Sequence, residues 1–73
     1  MSYYKTQMIV FDKIDQQIKN TIANGSNLNI KQMVLDLTRN YPVSPKAVEN
    51  RIKLYVEVNK DHIMILDGEV MLK

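Results

Sequence analysis

At 73 residues the chain has the size of one small domain. Such a domain carries a stability margin of only ~3–5 kcal/mol, and association with other molecules often helps to hold it. The absence of cysteine excludes disulfide staples, thiolate metal sites and a cysteine nucleophile, while 45% apolar residues, 25% charged residues and a net charge of +2 exclude a disordered tail or a polycationic coat. Residues 1–73 are therefore expected to fold as a single unit.

The first helix is expected from about Tyr3 to Asn24. Tyr4, Met8, Phe11, Ile14, Ile18 and Ile22 recur every three or four positions and build one apolar stripe, with Ile9 and Val10 widening it. Ser2 is a candidate cap at its start, and Asn24-Gly25 supplies a stop, because glycine takes the left-handed conformation that ends many helices. Leu28 then stands in a short loop and is expected to add a brief strand to a later sheet.

Asn29 and Gln32, three apart before an apolar run, resemble a capping box with asparagine in place of the usual serine or threonine. Met33, Val34, Leu37 and Tyr41 follow at helical spacing, and Pro42 ends this second helix near Asn40. Ser44-Pro45 opens a third: serine caps, and proline fits the first helical position, where its missing N–H costs nothing. To about Asn59, Ala47, Val48, Ile52, Leu54, Tyr55, Val56 and Val58 are expected on one broad side. Lys46, Glu49, Asn50, Lys53, Glu57 and Lys60 gather on the other, and Arg51 runs along the apolar flank.

From His62 to Lys73 the chain reads as a hairpin. Asp67-Gly68 is a favoured two-residue type I′ turn, which sets Leu66 opposite Glu69, Ile65 opposite Val70, Met64 opposite Met71 and Ile63 opposite Leu72. Ile63, Ile65, Val70 and Leu72 then face the core. Met64, Leu66 and Met71 lie on the other side, either covered by the segment around Tyr3 and Tyr4 or exposed as a patch for a protein partner or a second copy of the chain.

The resulting fold class is mainly α with a small antiparallel β-hairpin. The stretches Leu28-Asn29-Ile30-Lys31-Gln32-Met33-Val34 and Val43-Ser44-Pro45-Lys46-Ala47-Val48, followed by the Ile63–Leu72 hairpin, resemble the winged helix-turn-helix superfamily. That likeness covers nearly the whole chain and rests on hydrophobic spacing and caps. A glycine common in that family between the recognition helix and the wing is replaced here by Asn59-Lys60-Asp61-His62, where asparagine tolerates a left-handed backbone.

With no apolar run long enough to span a bilayer and no signal-peptide layout, the expected compartment is the cytoplasm, or the nucleoid if the chain binds DNA. The resemblance implies a protein of double-stranded DNA that acts as a small transcriptional regulator, with homodimerisation on a two-fold site. Helix 44–60 would enter the major groove with Ser44, Lys46, Asn50 and Lys53, with Arg51 as a further candidate and Lys31 and Gln32 at the phosphates. The hairpin departs from this picture: Asp61, Asp67 and Glu69 outweigh Lys73, so its tip is acidic where a minor-groove wing usually offers arginine or lysine. The alternative is a winged-helix protein-interaction module, an adaptor or a subunit of a larger nucleic-acid-processing complex, docking through Met64, Leu66 and Met71.

Catalysis finds little footing. His62 is the lone histidine, Gly25 and Gly68 are the only glycines, and Ser2, Ser26 and Ser44 fall at caps or loops. One imidazole without thiolates does not build a zinc site, so no cofactor, metal or small-molecule substrate is expected. No apolar run approaches the roughly 18 residues needed to span a bilayer, and Asp12 and Asp15 interrupt the basic face a membrane-surface helix would need.

Overall fold

The computed structural model describes residues 3–73, with side chains from Lys5 onward. Ser2, expected as a cap, and the side chains of Tyr3 and Tyr4 lie outside the described residues. The architecture is mainly helical with one small antiparallel sheet: α1 (Tyr3–Ala23), β1 (Leu28–Asn29), α2 (Ile30–Asn40), α3 (Pro45–Val58), β2 (Ile63–Leu66) and β3 (Glu69–Leu72). No helix of the described residues is long and apolar enough to cross a membrane.

Local signals in the chain account for most element ends. Gly25, at φ 75°, closes α1 with a Schellman motif: the Gly25 and Ser26 amides donate to the carbonyls of Ile22 and Thr21, both at 3.0 Å. Asn29 caps α2, its Oδ1 accepting from the Gln32 amide at 2.9 Å. Only half of the expected capping box forms, because the Gln32 side chain turns forward to Asp36 (3.0 Å) instead of back to the cap. Ser44 caps α3 by accepting from the Ala47 amide at 3.1 Å, and Pro45 occupies the first turn.

The Asp67-Gly68 turn takes positive φ at both residues, 52° and 76°, as type I′ requires, and every expected pair of β2 and β3 is found. The strand order is β1-β3-β2, with Leu28 opposite Val70 and Asn29 opposite Glu69. The amide of Ile30 donates to the Gly68 carbonyl (3.0 Å), which ties the start of α2 to the hairpin turn.

The core gathers Val10, Ile14 and Ile18 from α1, Met33, Val34 and Leu37 from α2, and Val48 and Ile52 from α3. Leu28, Val43, Ile63 and Val70 complete it. Burying one such side chain is worth about 1.5–3 kcal/mol. Several apolar positions expected inside are outside. On α1 the buried line is Val10-Ile14-Ile18, and Met8, about 120° round the helix from Ile14, is 63% exposed, with Ile9 exposed as well. On α3 the buried arc is narrower than expected: Val48 and Ile52 fill it, Tyr55 and Val56 flank it, and Leu54 and Val58 (74%) face solvent.

Leu72 is 56% exposed although its strand parity points it inward, because β1 pairs only with Glu69 and Val70 and leaves the end of β3 flanked by β2 alone. Between α3 and β2 the backbone turns without a left-handed residue. Asn59 has φ −111°, and its carbonyl accepts from His62 (2.9 Å) and Ile63 (3.1 Å).

Candidate nucleic-acid interface

The residues singled out for DNA divide into those with committed side chains and those without. Lys46, Asn50 and Lys53 fall within about 60° of one another around α3, on the side opposite Val48 and Ile52. All three are exposed, and none has a side-chain partner among the described residues. Their helix is fixed from within by Val48 and Ile52 and at its start by Ser44. Three polar groups are thus presented by a rigid element. Ser44 is exposed, but its hydroxyl accepts from the Ala47 amide, so its O–H proton and one lone pair are what remain for a ligand.

Arg51 is placed elsewhere. Its Nη2 donates to Asp15 Oδ2 at 2.6 Å and its Nε to Oδ1 at 3.1 Å, a bidentate clamp between α3 and α1. The same guanidinium stacks on the Phe11 ring, 5.2 Å from its centroid. The hydrogen bond to Asp15 raises its pKa above the ordinary arginine value, with burial opposing and the Asp15 charge assisting. Arg51 is half-buried and locks the helices together, so it is not among the groups free to meet a ligand. Sequence reading placed it on the flank correctly but missed Asp15. A carboxylate 36 positions earlier gives no local signal.

The start of α2 is likewise less open than the sequence suggests. Two of its first amides are used, Ile30 by Gly68 and Gln32 by Asn29, and the Gln32 side chain is held by Asp36. Lys31 is exposed, yet it shares a hollow with Glu49 and Asp67, whose charges oppose a phosphate there. The acidic tip of the hairpin therefore sits beside α2 and the first turns of α3. Glu69 is engaged by Asn27 across the sheet at 3.4 Å.

On the hairpin's outer face, Met64 and Met71 stand opposite each other and are half-buried, and Leu66 beside them is exposed. They belong to the opposite side of the sheet from Ile63 and Val70, the hairpin's contributions to the core. No family model, curated protein or solved structure matches this chain.

Proposed function

We propose that the chain is a winged helix-turn-helix protein that binds double-stranded DNA, as a small non-catalytic regulator of transcription or a related DNA transaction. In this reading α3 is the recognition helix and β2–β3 the wing. The observation that carries it is the outer face of α3, where Lys46, Asn50 and Lys53 point outward from a capped, core-anchored helix and have no side-chain partner among the described residues. The lysines neutralise phosphates or reach guanine, and Asn50 is suited to adenine, whose N6 and N7 match its amide. The acidic wing contributes little, so affinity rests on the helix.

Fluorescence anisotropy with a mixed-sequence duplex at roughly 50 and 200 mM salt tests this. Wild type should bind more weakly at the higher salt, and Lys46→Ala/Lys53→Ala should lose most of the binding while keeping its circular dichroism melt. A folded wild type that leaves the duplex free even at low salt ends the DNA reading.

The exposure of Leu66 beside Met64 and Met71 favours a second reading, a winged-helix module docking a protein through the hairpin. Under it, Met64→Gln/Met71→Gln abolishes partner capture and leaves duplex binding untouched. A stable chain with unchanged partners after those substitutions rules the docking role out.

A further inference from the structure

We propose that the outer seam between α1 and α3 is a two-fold contact surface for a second copy of this chain, formed by antiparallel packing of the two α1 helices. This goes beyond DNA binding and does not depend on it. The seam carries two hollows separated by the Arg51–Asp15 clamp. One is rimmed by Met8 and Asp12, and the other, floored by Ile18, Ile22 and Tyr55, is rimmed by Lys19 and Ala23.

Antiparallel helices related by a dyad between positions 15 and 16 align residues whose numbers sum to 31. That single register sets Asp12 against Lys19 of the other copy and Met8 against the other copy's Ala23. Both relations are complementary. Met8, 63% exposed, meets the rim of an apolar hollow, and an acid meets a base. Each match occurs twice, as an isologous interface requires.

Two further observations fit this occupant. Neither Asp12 nor Lys19 has a side-chain partner among the described residues, so both charges remain available. Asp15 lies beside the dyad, opposite Gln16 of the other copy, and is already paired with Arg51 at 2.6 Å, so the axis does not bring two bare carboxylates together. Leu54 and Val58, also exposed and on the adjoining flank of α3, extend the apolar area. A stable interface of about 1,200 Å² in total takes about one-eighth of the 5121 Å² surface of each copy.

Sedimentation equilibrium of the full chain, without nucleic acid, tests the register. Wild type should form a dimer. Asp12→Lys and Lys19→Asp should each weaken it by about tenfold or more, since each sets like charges opposed twice. An equimolar mixture of the two variants should recover wild-type association, because every facing pair is then of opposite charge. Met8→Ser, which changes no charge, should weaken the dimer by itself. The proposal is overturned if wild type remains monomeric at about 1 mM, if the charge variants associate as wild type does, or if their mixture stays monomeric. All three positions are exposed, so circular dichroism should show the variants folded.

Discussion

Arg51 and Lys53 stand two residues apart on α3, yet their surroundings differ completely. Arg51 is clamped by Asp15 and stacked on Phe11, while Lys53 projects into solvent with Lys46 and Asn50 around it and has no side-chain partner among the described residues. The helix turns about 100° per residue, so about 200° separates the two side chains. Their difference shows that a cation's availability is set by the neighbouring element on its own side of the helix. One side of α3 builds the fold, and the other is free to meet a ligand.

The strongest way to break this contrast is to remove the axis that both sides share. Ile52, fully buried between them, should cost about 2–5 kcal/mol when changed to alanine. A margin of ~3–5 kcal/mol does not comfortably absorb that loss, so both clamp and outer face should be lost together in one thermal transition. A variant that kept its melt would mean that α3 is not anchored through Ile52.

Next in size is the separation of stability from binding. If α3 binds duplex as proposed, Lys46→Ala/Lys53→Ala should leave the melt unchanged and lower the salt slope of that binding by about 0.9 for each phosphate that is no longer neutralised. Asn50→Ala should instead relax preference at one base pair, by about 1–3 kcal/mol of discrimination. Arg51→Ala should do the reverse of the lysine changes. It leaves Asp15 without its clamp between two helices, and a charge-assisted hydrogen bond contributes about 1.5–3 kcal/mol. The expected readout is a lower melting temperature in a variant that, once folded in the cold, still binds duplex with the wild-type salt slope. If Arg51→Ala abolished binding at full stability, the two flanks of α3 would have exchanged roles.

Much of this architecture was legible because it depends on neighbours along the chain. Ser44-Pro45, Asn24-Gly25 and Asp67-Gly68 act through bonds and φ angles within a few residues, and all three appear where the sequence places them. The hairpin register follows from the turn alone. Apolar residues such as Met8, Leu54 and Val58 were misplaced because helical spacing reports a stripe but not its width. How much of the stripe is covered depends on where the other helices and the sheet cross it. The candidate site divides in the same way. Lys46, Asn50 and Lys53 follow from α3's own period, whereas the engagement of Arg51 by Asp15 required the tertiary fold.

The smallest expected effect concerns the other ion pair on α3's side of the molecule. Lys60 approaches Glu57 at 3.6 Å with both side chains largely exposed (68% and 72%), whereas the side chains of the Arg51–Asp15 pair are 30% and 26% exposed. Water and salt screen the first pair, and holding two long side chains in one geometry costs conformational entropy that offsets its Coulomb gain. A double-mutant cycle on Glu57 and Lys60 should therefore return a coupling below about 0.5 kcal/mol that vanishes in high salt. The same cycle on Asp15 and Arg51 should return a larger value that persists, since two hydrogen bonds and the Phe11 ring fix that geometry. Equal couplings would show that burial and bidentate geometry are not what distinguishes the clamp from the surface pair, and the division of α3 into a structural and an outward flank would lose its physical basis.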